Sequence, residues 1–94
     1  MKEFSLEEKK KYYERRTTDK SLTVGQRQYA SNFLIGVKCA ESSLSGELYL
    51  PNLKMRQEGY KRLIDTKKDI GHTDASVQFK GRLAVVEDRL KRFQ

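Results

Sequence analysis

The feature that most constrains this chain is a segment whose apolar residues recur at the spacing of an α-helix. They stand at i, i+3, i+4, i+7 and i+10, and they are Ala30, Phe33, Leu34, Val37 and Ala40. This spacing puts all of them on one face of a helix. The chain as a whole is much more polar, since 36% of its 94 residues are apolar and 35% are charged. We therefore predict a helix over residues 23–42 that forms the hub of the fold, with its apolar face widened by Tyr29, Ile35 and Cys39.

Two helix starts carry the spacing of a capping box. In Ser5-Leu6-Glu7-Glu8 and in Thr23-Val24-Gly25-Gln26, a hydroxyl at the N-cap is followed three residues later by Glu or Gln. Each of the two side chains then accepts a hydrogen bond from the backbone N–H of the other residue. The first box predicts a helix over residues 5–18. Its apolar stripe is thin, essentially Leu6 and Tyr13, so this helix is expected to hold only by docking on another element.

Two further helices are predicted after the hub. Pro51 suits a first helical turn, with Asn52 as an alternative cap, and Gly71 suits a left-handed helix stop. These residues bound a third helix over about residues 52–69. A fourth helix is predicted over residues 74–93.

The fourth helix carries apolar residues at heptad spacing. They are separated by 4, 3, 4 and 3 positions, and they are Phe79, Leu83, Val86, Leu90 and Phe93. So short a seam does not form a stable coiled coil alone. We expect it to pack inside the domain or to mediate self-association, as a homodimer through the C-terminal helix.

Together these patterns predict an all-α fold, a small bundle of four helices in a single domain over residues 1–94. Strict apolar–polar alternation, the mark of a strand, is confined to Glu47-Leu48-Tyr49-Leu50. A chain of this length usually forms one domain with a modest core.

The sequence offers little for enzymatic chemistry. His72 is the single histidine and Cys39 the single cysteine, and they stand far apart in the chain. Metal sites need several ligands at defined spacing, and the six glycines are scattered and form no phosphate-binding loop. We expect a non-enzymatic protein without a cofactor or metal, in which Cys39 is a small buried hydrophobe and His72 lies in an exposed turn.

Membrane and export signals are not evident in the sequence. The longest apolar run, Phe33–Val37, is far shorter than the ~20 residues that cross a bilayer. Met1-Lys2-Glu3-Phe4 does not resemble the start of a signal peptide. A single cysteine fits a reducing compartment, so we expect a cytoplasmic protein with no membrane partner.

Charge gives the better indication of a partner. The 20 lysines and arginines exceed the 13 aspartates and glutamates, for a formal net charge of +7. Four candidate binding residues lie on the third helix, namely Lys54, Lys61, Arg62 and Lys68. Glu58 and Asp65 follow two of these lysines by four positions, so the alternative is a salt-bridged, solvated face.

Four more candidates lie on the first helix, namely Lys9, Tyr12, Arg15 and Arg16. Cations interleaved with tyrosine are what phosphate contact combined with base stacking requires. Glu7, Glu8 and Glu14 dilute the positive field, so a solvated face is the alternative here too.

The aromatic residues divide into two groups. Four lie on stripes that are expected to face the core: Phe33, Tyr60, Phe79 and Phe93. Three tyrosines, Tyr12, Tyr29 and Tyr49, lack an obvious core position. Exposed tyrosines are enriched in binding interfaces, although single exposed aromatics are also common.

A helix-turn-helix motif does not fit this chain. The motif needs a glycine about four residues after a small buried residue, whereas Gly36 follows Ala30 by six. Shifting the register puts Asn32 at the buried small position. A helical DNA-binding protein without this motif remains an alternative.

Two functional hypotheses follow from the sequence. The first is a nucleic-acid-associated regulator or accessory factor that grips phosphates with the first and third helices. The second is a protein-binding adaptor or inhibitor, of the kind that small mobile elements encode, which matches an acidic protein surface or a partner's nucleic-acid groove.

Overall fold

A computed structural model describes residues 4–45 and 49–93. The described elements are four helices and no strand: α1 (Leu6–Thr18), α2 (Val24–Ser43), α3 (Leu50–Asp69) and α4 (Thr73–Lys91). The predicted all-α bundle of four helices is confirmed, and each helix begins and ends within two residues of its predicted bounds. Of the alternating segment singled out in the sequence, Glu47 and Leu48 lie outside the described residues.

Both predicted capping boxes form. The Ser5 hydroxyl accepts from the Glu8 backbone N–H at 3.2 Å, and the Glu8 carboxylate accepts from the Ser5 N–H at 3.3 Å. Thr23 and Gln26 make the same pair of bonds at 3.1 and 2.9 Å. These bonds fix where α1 and α2 begin, because they satisfy N–H groups that have no acceptor within the helix.

The start of α3 differs from the prediction. The helix begins at Leu50 with Tyr49 at the N-cap, so the alternative cap Asn52 lies inside the helix. Pro51 stands in the first turn as predicted, where a missing N–H breaks no helical hydrogen bond. The end of α3 is as predicted, since Gly71 follows it with a left-handed φ of 85°.

The helices assemble around the α2–α4 pair. α2 packs most extensively against α4 and also carries α1, as expected for the hub. α3 packs against α4, and α1 makes a smaller contact with α4. α4 thus joins α3 to the hub helix, and α1 lies on the other side of the bundle's central pair.

A pair of glycines lets α2 and α4 approach closely. A Cβ on Gly36 would overlap the backbone carbonyl of Gln78, and a Cβ on Gly81 would overlap the carbonyl of Phe33. Beside this crossing, the Gln78 side chain donates to the Asn32 side chain at 3.0 Å. Sequence reasoning did not identify these glycines as a crossing point, because a glycine within an apolar stripe does not indicate which helix it will meet.

The core lies between α2, α3 and α4. Its buried apolar residues come from these three helices and from the residue that follows α2: Ala30, Phe33, Val37, Ala40, Leu44, Leu53, Tyr60, Val77, Val85 and Val86. The heptad seam predicted on α4 missed Val77 and Val85. α4 lies against both α2 and α3, so it needs apolar residues on a second face in addition to the seam.

The seam packs inside the domain, which was one of its two predicted roles. Val86 is fully buried, and Phe79, Leu83 and Leu90 pack against the core. Phe79 meets Tyr60 of α3 with ring centroids 5.7 Å apart. Self-association through this seam would have to expose residues that the bundle already covers, and the homodimer stays a prediction.

Three residues that were expected to be apolar contacts are exposed. Phe93 is 46% exposed because α4 ends at Lys91, which leaves Phe93 beyond the last helical turn. Ile35 and Cys39 are exposed because they lie outside the single stripe of α2 that faces α4 and α1. The prediction that Cys39 is a buried hydrophobe is therefore wrong.

Candidate functional site

An aromatic cluster lies where α1 docks on α2. Tyr13 of α1 stacks on Phe33 of α2, with ring centroids 4.3 Å apart. Tyr12 meets the Tyr13 ring edge-on at 5.1 Å, and Tyr29 lies 6.0 Å from Tyr13. We call these four residues the tyrosine cluster. It includes two of the three tyrosines for which the sequence offered no core position.

Helical geometry explains how the cluster forms. Tyr13 lies on the thin apolar stripe of α1 and packs on the core, and burial raises the pKa of its hydroxyl. Tyr29 precedes Phe33 by one turn of α2, so the two rings lie on one side of the helix. Tyr12 is displaced around α1 from Tyr13 and stays 45% exposed, while Tyr29 is 37% exposed. The cluster thus has an anchored base and an exposed rim.

Cations from two helices lie on the exposed rings. The Arg16 guanidinium carbon stands 5.1 Å above the Tyr12 ring, one helical turn along α1. The Lys80 ammonium of α4 stands 5.5 Å above the Tyr29 ring. Contacts of this kind orient a cation over the negative face of the ring. They hold positive charge beside the aromatic surface.

Two hollows flank the Tyr12–Tyr13 pair. The first has a volume of about 380 Å³, and its lining includes Phe4, Lys9, Lys80 and Glu87 in addition to the two tyrosines. The second has a volume of about 570 Å³, and its lining includes Arg16, Thr23, Gln26 and Tyr29. Tyr12 and Tyr13 line both hollows and form the wall that they share.

The cations that border the hollows form no ion pair among the described residues. Among the described residues, no carboxylate oxygen lies within 4 Å of Lys9, Arg16 or Lys80, while Lys10 lies 3.2 Å from Glu41 and 3.6 Å from Glu7. The Lys10 ammonium donates a hydrogen bond to Glu41 of α2, which raises the pKa of Lys10. Lys10 therefore serves the docking of α1 on α2.

The structure brings only part of the predicted binding set to this site. Lys9, Tyr12 and Arg16 border the hollows, with Lys9 and Arg16 half-buried against them. Arg15 is exposed, and its Nε donates to the Lys11 carbonyl at 3.4 Å. Arg15 lines a shallow depression with Lys11, outside both hollows.

The predicted residues of α3 lie on a separate face. Within the described residues α1 and α3 make no helix–helix contact. Arg62 and Lys68 are exposed, and Lys61 stands 3.9 Å from Glu58. Lys54 lines a different hollow, together with Phe93 and with Glu87, which also lines the first hollow. The first and third helices therefore present separate groups of cations, and of the cations predicted on these two helices only Arg16 stands over an aromatic ring in the described part of the chain.

Sequence reasoning missed Lys80 and did not assign Tyr29 to the site. Lys80 reaches the cluster because the glycine crossing brings α4 against α2 next to Gly81. Its position depends on the register of two helices distant in sequence. The one available signal was a glycine within the apolar stripe of each helix, at Gly36 and Gly81.

Other chemically distinctive residues lie apart from the cluster. His72 is exposed at the N-cap of α4 with no side-chain capping bond, and Cys39 is an exposed free thiol. Across residues 4–45 and 49–93, no three His, Cys, Asp or Glu side chains group as metal ligands would. No helix within those ranges has the length and apolar character to cross a bilayer.

Comparison with models of known protein families, with curated proteins and with solved structures found no match to this chain.

Proposed function

We propose that this protein is a small non-enzymatic helical module that binds nucleic acid as a regulator or accessory factor, with the tyrosine cluster as its contact surface. The observation that carries this proposal is the pairing of half-exposed tyrosine rings with cations that have no acidic neighbour within 4 Å among the described residues. Phosphates supply the negative charge that these cations lack, and bases supply flat faces for the rings.

The geometry favours nucleic acid over a generic acidic partner at this site. Lys9, Arg16 and Lys80 come from two helices and border the tyrosine cluster, in which the ring centroids of neighbouring residues lie 4.3 to 6.0 Å apart. Aromatic rings bordered by cations that follow a backbone are the arrangement that binds single nucleic-acid strands without a sequence motif.

Salt dependence of binding tests this proposal. Labelled DNA and RNA of mixed sequence are titrated with the protein, and the dissociation constant is measured by fluorescence anisotropy at several salt concentrations. We expect affinity to fall steeply with salt, because each phosphate contact releases condensed counterions. The absorbance ratio at 260 and 280 nm after low-salt purification, with and without nuclease, gives an independent check, since the chain has no tryptophan. Salt-independent binding, or none to either polymer, would contradict the proposal.

A second candidate function is a protein-binding adaptor or inhibitor. The observation that favours it is a pair of exposed aromatic residues outside the tyrosine cluster, Tyr49 at 61% and Phe93 at 46%. Leu50, Lys54 and Phe93 line a hollow of about 460 Å³. Exposed apolar side chains beside charged ones are typical of protein interfaces.

The two candidates separate in one pull-down series. The adaptor predicts a stoichiometric complex with one protein that survives nuclease and is weakened by Phe93→Ala or Tyr49→Ala. Nucleic-acid binding predicts that nuclease removes whatever copurifies. An absence of any enriched protein would remove the second candidate.

A further inference from the structure

Two hollows lie beside Tyr12, and attraction between opposite charges alone would not require them. They lie on either side of one aromatic wall, and each contains both aromatic and cationic groups. Volumes of about 380 and 570 Å³ lie in the range of small-molecule pockets. Each hollow therefore has room for a planar ring.

One face of the Tyr12 ring is available for stacking. Arg16 covers the other face at 5.1 Å, and Tyr13 approaches with its edge. Among the described residues no further ring or cation contacts Tyr12. The anchored Tyr13–Phe33 stack beneath holds the ring in place, so a base would meet a preorganised surface.

The polar groups of the hollows divide between base and backbone. Glu87 is the acidic residue that lines the first hollow, and its carboxylate repels phosphate while it accepts from base N–H groups. In the second hollow the Gln26 side-chain oxygen is held by the Thr23 N–H at 2.9 Å, which fixes the amide and leaves its NH₂ group as a donor. Lys9, Arg16 and Lys80 remain for the phosphates.

From this arrangement we infer that the ligand is a single strand, with one unpaired base stacked on the open face of the Tyr12 ring, a second base in the hollow that Arg16 lines, and their phosphates on Lys9, Arg16 and Lys80. This inference rests on the proposed nucleic-acid function and narrows it. A duplex offers its phosphates but keeps the faces of its bases stacked inside, so it would meet the cations and leave the hollows empty.

The test compares four ligands of about 12 nucleotides, a length within the usual site size of single-strand binders. They are a single-stranded DNA, the single-stranded RNA of the same sequence, the matching duplex and a DNA strand that keeps its phosphates but lacks bases. We expect both single strands to bind at least about tenfold more tightly than the duplex or the abasic strand, because stacking adds to charge.

Variants locate the stacking surface. Tyr12→Ala is expected to weaken single-strand binding about tenfold, whereas Tyr12→Phe, which keeps the ring, is expected to stay within about twofold of wild type. Tyr49→Ala removes an exposed tyrosine that lines neither hollow and is the matched control. Circular dichroism checks that Tyr12→Ala keeps the helical fold, as its exposure predicts.

Each outcome decides the inference. Equal affinity for single strand, duplex and abasic strand would overturn it while leaving nucleic-acid binding intact, and so would a Tyr12→Ala protein that binds as wild type does. Binding to none of the four ligands would overturn both the inference and the proposed function.

Discussion

α1 and α3 flank the same central pair of helices and both carry rows of cations, but they differ in how they are held and in what surrounds their charges. α3 contributes the buried residues Leu53 and Tyr60 to the core, whereas α1 contributes no buried residue. The cations of α1 border aromatic rings and hollows, while on α3 an acidic residue at 3.9 Å accompanies Lys61.

The difference teaches that charge alone does not mark a site. In the sequence the two helices look like equivalent candidates, each with four predicted binding residues. α3 has used its aromatic residue, Tyr60, in the core. α1 is held by the Tyr13 stack, by the partly buried Leu6 and by one ion pair, and its Tyr12 stays 45% exposed.

Disrupting the packing of α2 against α4 should destabilise the protein most, because α1 and α3 both dock on this pair of helices. Gly81→Ala should destabilise the protein by about 3 kcal/mol, because the added methyl group meets the backbone of α2 and cannot be relieved by a side-chain rotation. Chemical denaturation followed by circular dichroism measures this loss.

The matched control for that variant is Gly59→Ala on α3, where an added Cβ has no neighbour within 4 Å. Alanine there should stabilise the protein by about 0.5–1 kcal/mol through helix propensity. A Gly81→Ala protein as stable as wild type would show that α2 and α4 are not in backbone contact.

The next prediction compares how strongly α3 and α1 are anchored to the bundle, measured as the loss of unfolding free energy. Leu53→Ala should cost about 2–3 kcal/mol, because it removes a fully buried side chain of α3 and leaves a cavity. Leu6→Ala on α1 should cost about 1 kcal/mol, because Leu6 is only partly buried. Denaturation curves of the two variants measure the difference, and equal losses would show that α1 is held as firmly as α3.

The next prediction compares how much the cations of α1 and of α3 contribute to the affinity for nucleic acid. Arg16→Glu should weaken nucleic-acid binding about tenfold and reduce the salt dependence by about one phosphate contact. Arg62→Glu on α3 makes the same charge change at a cation that stands over no aromatic ring in the described part of the chain, and it should change affinity less than about threefold. Anisotropy titrations at matched salt test this pair. Equal losses would mean that the sequence-based assignment of both helices to binding was right and that the aromatic setting of α1 adds nothing.

The smallest effect concerns the ion pair that docks α1. Glu41→Gln should destabilise the protein by about 0.5 kcal/mol at neutral pH, since the pair with Lys10 is partly exposed. The pair raises the pKa of Lys10 above its ordinary 10.5, so its contribution is present below that pH and is lost as pH rises through the folded-state pKa.

The check is the difference in unfolding free energy between wild type and Glu41→Gln as a function of pH. This difference in unfolding free energy should be constant from neutral pH to about pH 10 and should fall toward zero at higher pH. A difference that persists at higher pH would show that Glu41 stabilises the protein by packing and not by its charge.

Much of the fold was predictable from the sequence, because helix periodicity and caps are local. Ser5 and Thr23 set helix starts through residues three positions away, and Gly71 ends α3 by its own backbone conformation. Burial was harder to predict, because it depends on how much of a helix surface the neighbouring helices cover. Ile35 and Cys39 are exposed for this reason.

The candidate site was predictable only where its residues share one helix. Lys9, Tyr12 and Arg16 follow one another along α1, so their pattern was visible in the sequence. Lys80 joins them through the α2–α4 crossing, whose register is set by two glycines 45 positions apart in the chain, Gly36 and Gly81. No local pattern encodes that register.

The central claim is that nucleic acid binds at the tyrosine cluster, and amide chemical-shift mapping tests it most directly. The ¹⁵N-labelled protein is titrated with an unlabelled single-stranded oligonucleotide. We predict that the shifted amides will concentrate in α1 from Lys9 to Arg16, around Gln26 and Tyr29 of α2, and at Lys80. Shifts concentrated on the cationic face of α3, or no shifts at saturating oligonucleotide, would contradict it.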